Sequence, residues 1–179
     1  NVPVDSGCRI FTINDGGDVW SPSYFPYKTE LDEFETRHGM GYTRITGSRG
    51  GLRASALYFV PVEGDAEIQM VTLTNESDHA KTVNLISFVE FALWNAEDDQ
   101  TNYQRNLSLA EVEVEGSTIF HKTEFRERRN HYAVYSVNEP IVGFDTDRDT
   151  FLGPQNGWDE AVVSHTGISG NSIASGWYP

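Results

Sequence analysis

KTVNLISFVEFALW, Lys81–Trp94, decides the fold. Read as a buried helix it would make the chain a mixed α/β protein; read as a strand it leaves almost nothing but strands. Thr82, Val83, Ile86, Phe88, Val89 and Phe91 are β-branched or aromatic, and such side chains fit a pleated, half-buried surface better than a helix. The strand reading then spreads outward. Upstream, Ala66–Thr74 contains EIQMVTLT and is separated from this run by the turn cluster NESDH, Asn75–His79. The economical expectation is a hairpin between the two runs. Further upstream, Tyr42–Gly47 alternates and Leu52–Val60 is a mixed apolar strand closed by Pro61, with VEGD, Val62–Asp65, as the next turn. GSRGG, Gly47–Gly51, has the glycines of an anion nest around Arg49, but its place between two strands makes it a hairpin turn.

Downstream, EVEVE at Glu111–Glu115 alternates strictly, so Val112 and Val114 face inward and the carboxylates outward. Gly116-Ser117 turns the chain and Thr118–Lys122 returns. His131–Val137 makes another strand and Ile141–Phe144 a shorter one. Near the start, Arg9–Ile13 is a short strand. Ile13–Glu30 is an ordered loop, punctuated by Asp-Gly-Gly and Ser-Pro and carrying Trp20, Tyr24, Phe25 and Tyr27. Leu31–Arg37 fits either a helical turn or an extended edge. Strands and turns at intervals of roughly ten residues, without a convincing amphipathic helix, predict an all-β antiparallel β-sandwich.

The totals narrow the functions. With 179 residues the chain is long enough for one large domain. Its 27 acidic against 13 basic residues give a formal charge of −14, which repels a phosphate backbone and argues against nucleic acid. The basic run HKTEFRERRNH, His121–His131, also holds Glu124 and Glu127 and reads as a charged face that balances itself. Cys8 is the only cysteine, so no internal disulfide forms, which fits a reducing compartment. No run approaches the roughly 18 apolar residues that span a bilayer, so a membrane is not expected as a partner.

Several motifs lead nowhere. DTDRD, Asp145–Asp149, lacks the glycine and terminal acid of a calcium loop, since Thr150 and Asn156 occupy those places; its aspartates are read as caps of a surface turn. His38, His79, His121, His131 and His165 have no paired ligand spacing, so no metal is expected. The sequons Asn75–Ser77 and Asn106–Ser108 are read as chance. No nucleophile elbow or phosphate loop is present.

One stretch has the inventory of a sugar site: WNAEDDQTNYQRNLS, Trp94–Ser108. A pyranose offers C–H faces to Trp94 or Tyr103 and paired hydroxyls to Gln104 or the fork of Arg105. A plain solvated loop between strands is the competing reading.

Five stretches, in order, resemble the amino-terminal sandwich of the inverting disaccharide phosphorylases: INDGGDVWSP (Ile13–Pro22), RHGMGYTRI (Arg37–Ile45), LWNAEDDQTNYQRNLS (Leu93–Ser108), FRERRNHYAVYSVN (Phe125–Asn138) and GFDTDRDTFLG (Gly143–Gly153). Within that group, glycoside hydrolase family 94, the match is nearer to the cellobiose phosphorylases than to the chitobiose- or cellodextrin-cleaving branches. The resemblance implies that residues 1–179 are a fragment of one N-terminal β-sandwich whose closing strands follow Pro179. It implies a separate helical barrel that carries the general acid and the phosphate pocket. It assigns no catalytic residue to this chain and no cofactor beyond inorganic phosphate as co-substrate. It assigns Tyr103, Gln104 and Arg105 to the binding of the departing glucose. Trp94 and Asp98 are then packing and loop-shaping residues, and Arg126, Arg128 and Arg129 serve contacts with the barrel or a twin subunit. The expected partners are a disaccharide and glucose, the remainder of the polypeptide, and a second copy in a homodimer. The competing readings are a free-standing sugar-binding sandwich without chemistry and a dimerisation platform.

Overall fold

The computed structural model describes residues 9–91, 110–123, 131–153 and 175–176. The chain forms two compact units, Asn1–Val89 and Glu90–Pro179. Both are built from antiparallel sheets, as the alternation requires.

The first unit contains a four-stranded meander of β3 (Glu33–Gly39), β4 (Tyr42–Arg49), β5 (Leu52–Phe59) and β6 (Ile68–Asn75). Arg49 pairs with Leu52 across Gly50-Gly51, whose φ values of 56° and 76° are those of a type I′ turn, so GSRGG ends in a hairpin as expected. Arg49 makes no anion nest. Its Nε donates to Asp18 at 2.7 Å and its Nη1 to the Glu30 carbonyl at 2.6 Å, which raises its pKa through the hydrogen bond to Asp18. Leu31–Arg37 resolves toward the extended edge: among the described residues β3 pairs with β4 alone, and it is exposed at every residue.

A three-stranded sheet, in the order β2–β1–β7, joins β1 (Arg9–Asp15), β2 (Asp18–Trp20) and β7 (Asn84–Val89). The Asp-Gly-Gly signal inside the expected loop is a hairpin, with Asp15 opposite Asp18 and the Gly17 amide donating to Asn14 Oδ1 at 2.8 Å. A strand of three residues is too short to show a period in sequence. Ile13 and Trp20 of this sheet are buried with Leu52 and Ala54 of the meander, and Leu31, Leu73 and Val83 pack on them. That cluster is the core between the two layers.

The strand reading of KTVNLISFVEFALW holds for Asn84–Val89, but the hairpin with the preceding strand does not. β6 pairs with β5, whereas β7 pairs with β1, from Arg9 opposite Val89 to Asn14 opposite Asn84. The connection is diverted at its start. Asn75 Oδ1 accepts from the Ser77 amide and hydroxyl, its Nδ2 donates to the His79 carbonyl, and the Glu76 amide donates to the Gly51 carbonyl at 2.8 Å. The chain thus crosses the end of the β4–β5 hairpin. An ion pair between Lys81 and Asp15, with side chains only 13% and 22% exposed, then seats it in the other layer.

The second unit holds a sheet in the order β10–β9–β8–β11, made of β8 (Ala110–Glu115), β9 (Thr118–Thr123), β10 (His131–Ser136) and the two-residue β11 (Ser175–Gly176). Along β8, Val112 and Val114 are half-buried and Glu111, Glu113 and Glu115 exposed, as the EVEVE pattern demands. Ile141–Phe144 forms no strand: it follows Pro140, and Val142 is fully exposed. DTDRD opens a short helix, α1 (Arg148–Leu152), where none was expected. Asp147 Oδ2 caps it by accepting from the Thr150 amide and hydroxyl, the capping role read for these aspartates, while Phe151 and Leu152 are buried.

Candidate functional site

Tyr103, Gln104 and Arg105 lie outside the described residues, as do Trp94, Asp98 and the arginines 126, 128 and 129. The structure describes what flanks their loop. β7 leads into it through Glu90 and Phe91, and β8 leads out at Ala110. The Phe91 ring lies against His121 on β9, with centroids 5.8 Å apart and planes at 55°. In register, His121 shares its sheet face with Val112 and Ala133. It is 8% exposed, and its Nε2 has no hydrogen-bond partner among the described residues. Burial lowers its pKa, because an imidazolium there would lose hydration without an acceptor in return. The entry to the loop therefore rests on an apolar sheet face through one aromatic contact.

A polar surface among the described residues lies elsewhere, on the outward face of the meander. The register sets four cross-strand rows on that face: Gly39, Tyr42, Phe59 and Ile68; then Arg37, Arg44, Leu57 and Met70; then Glu35, Thr46, Ser55 and Thr72; then Glu33, Ser48, Arg53 and Thr74. The polar rows hold a groove of about 420 Å³ lined by Glu33, Phe34, Glu35, Thr46 and Arg53. Arg53 is clamped, its Nε donating to Glu76 at 2.6 Å and its Nη2 to Glu33 at 2.8 Å; these bonds hold its pKa above the ordinary arginine value. Arg37 donates to Glu35 at 2.8 Å, and Thr46 and Ser55 share a hydroxyl hydrogen bond of 3.1 Å. In the first row, the Tyr42 ring covers Gly39 and leaves no room there for a β-carbon. Sequence reasoning missed this face. Each strand showed its alternation, but only the register reveals which polar positions become neighbours.

Among the described residues no group of histidine, cysteine, aspartate and glutamate is arranged to hold a metal. Asn75 of the first sequon serves as a turn cap through its own side chain, and Asn106 lies outside the described residues. In the charged face around His121–His131, Lys122 pairs with Glu111 at 3.4 Å; its arginines lie outside the described residues.

Antiparallel sheets, with the sole described helix one turn long, define an all-β domain of the sandwich class. The match to known proteins is narrower: residues 1–179 match the model of the glycosyl hydrolase 94 supersandwich domain throughout, and the chain belongs to that family. The solabiose phosphorylase of Paenibacillus borealis is 34% identical over 173 residues, covering 94% of this chain and 22% of its own length. The N,N'-diacetylchitobiose phosphorylase of Vibrio proteolyticus is 33% identical over 144 residues, covering 78% of this chain and 18% of its own. A 3-O-beta-D-glucopyranosyl-beta-D-glucuronide phosphorylase, also of Paenibacillus borealis, is 37% identical over 97 residues, covering 53% of this chain and 12% of its own. The chain thus spans about a fifth of the first two relatives.

Proposed function

We propose that this chain is the N-terminal domain of an inverting disaccharide phosphorylase that converts cellobiose and phosphate into glucose and α-glucose 1-phosphate. The observation that supports this best is the family match over all 179 residues, joined to phosphorylase relatives that align along most of the chain. The chemistry is that of an inverting glycosidase with one replacement. A carboxylic acid protonates the leaving oxygen, and phosphate, already anionic, attacks the opposite face of the anomeric carbon without a carboxylate base. In this reading the acid and the phosphate pocket belong to a helical barrel on the same polypeptide. The domain contributes Tyr103, Gln104 and Arg105 to the departing glucose and takes part in a cytoplasmic homodimer. Alone it is inactive. Among its described residues, no helix is long and apolar enough to cross a membrane.

The test is phosphate-dependent release of α-glucose 1-phosphate by the complete protein from a panel of disaccharides. Cellobiose is the expected substrate, with solabiose and diacetylchitobiose included because relatives bear those names. Release from cellobiose at the highest kcat/KM supports the reading. Preference for another disaccharide keeps the phosphorylase and replaces the substrate, and no ester from any of them removes the activity.

A further inference from the structure

We propose that the outward face of the β3–β6 meander is a second saccharide-binding surface, centred on the groove between Glu33, Glu35, Thr46 and Arg53. It lies apart in sequence from the Tyr103–Arg105 loop and goes beyond the acceptor role assigned to that loop.

Three features carry the inference. The groove, at about 420 Å³, is in the size range of small-ligand sites. Its polar groups are already held: Arg53 between Glu33 and Glu76, Glu35 by Arg37, and Thr46 by Ser55. These bonds restrict the side chains in part, which lowers the freedom lost on binding. Each group also keeps hydrogen-bonding capacity. Arg53 Nη1, Glu33 Oε1 and Glu35 Oε2 have no partner among the described residues, and one hydroxyl of the Thr46–Ser55 pair remains a donor. Together they offer both donors and acceptors, as adjacent sugar hydroxyls require.

Charge selects the ligand class. Glu33, Glu35 and Glu76 are matched in number by Arg37, Arg44 and Arg53, so the face carries no net charge to favour an anion, while the pairing of each carboxylate with arginine removes the demand for a cation. A neutral polyol is what remains. Beyond the polar rows the same face turns apolar. About 13 Å along the strand from Thr46, four residues at roughly 3.3 Å each, stand Tyr42, 44% exposed, and Phe59 opposite it. Between them and the groove is Arg44, exposed and without a partner among the described residues. An oligosaccharide laid along β4 would meet hydrogen-bonding groups first and ring faces next.

The experiment is a titration of the 179-residue chain with cellotetraose, a neutral linear glucose oligomer, followed by backbone amide shifts. Saturable shifts are expected at Glu33, Glu35, Thr46, Arg53 and Ser55, extending to Tyr42 and Phe59. Combining Glu35→Gln with Thr46→Val is expected to weaken binding about thirty-fold or more, the loss of a charge-assisted and a neutral hydrogen bond; Arg105→Ala leaves these shifts in place. If the double variant loses the wild-type amide pattern, Thr46→Val alone serves for the comparison. No saturable shift, shifts confined to residues 94–108, or undiminished affinity in a folded groove variant each overturns the proposal. Phosphorolysis by the complete protein is read separately, so failure here and failure of the phosphorylase reading remain distinguishable.

Discussion

At His121 the surroundings set a sign. The ring is buried against Phe91 with an unpartnered Nε2, so its folded pKa lies below the ordinary 6.5. The folded state therefore binds fewer protons at this site than the unfolded chain. Its contribution to stability is complete above about pH 6.5, the unfolded value, and is lost as pH falls from there through the folded value. Each unit of lowering corresponds to about 1.4 kcal/mol. A His121→Leu variant removes the titration and the orphaned nitrogen together. Urea unfolding from pH 8 to 5 is expected to show the variant gaining on the parent only on the acid side, and a constant difference across that range would remove the assignment. The sequence placed His121 in a strand next to a basic run. The burial of the ring was not legible there, because it depends on which face of β9 meets Val112 and Ala133 across the sheet.

At the scale of elements, two glycines of one hairpin act by different means. Gly47 sits where β4 passes the loop after β2, and a β-carbon there would stand 3.0 Å from the Pro22 Cα and carbonyl oxygen, both backbone atoms. Gly50 has nothing within 4 Å of such a carbon and is present for its φ of 56°. Gly47→Ala is thus expected to cost about 1–3 kcal/mol by overpacking. Gly50→Asn is expected to cost less, since asparagine tolerates the left-handed region. Thermal unfolding of both variants checks the contrast, and equal losses would deny the close approach at Gly47. A second element-scale prediction concerns the strand exchange. Lys81→Met leaves the Asp15 carboxylate in a mostly buried place without its cation, a loss expected at about 2 kcal/mol. The double variant with Asp15→Asn should recover part of it, and additive losses would show that the pair does not seat β7. The charges at Asp15 and Lys81 were plain in sequence. That they meet was not, because 66 positions separate them.

At the scale of the whole molecule, the chain spans about a fifth of the solabiose and diacetylchitobiose phosphorylases that it matches, so its functional predictions belong to the complete protein. Arg105→Ala there is expected to reduce the efficiency of glucose as acceptor about ten- to a hundred-fold, the loss of a charge-assisted hydrogen bond. Glucose 1-phosphate handling should be less affected. Synthetic kinetics measured against each substrate in turn separate the two effects, and unchanged acceptor kinetics would take Arg105 out of the site. Homodimer formation is checked by size exclusion of the same protein, where a monomer counts against the shared-interface role.

What the sequence determined by itself was the all-β class, the strands from Tyr42 to Asn75 and from Ala110 to Ser136 within a residue or two, the Gly-Gly turn at 50–51 and the family. These are local matters: a two-residue period and turn glycines act over a few positions. The tertiary structure alone decided that β7 leaves β6 for β1, that the Asp-Gly-Gly stretch closes a buried hairpin, and that Glu35, Thr46 and Ser55 become neighbours in one groove-bearing face. A period of two shows that a strand has two faces and is silent on which strand lies beside it. That choice depends on the burial of Ile13, Trp20, Leu52 and Ala54 together, an outcome distributed over residues far apart in the chain.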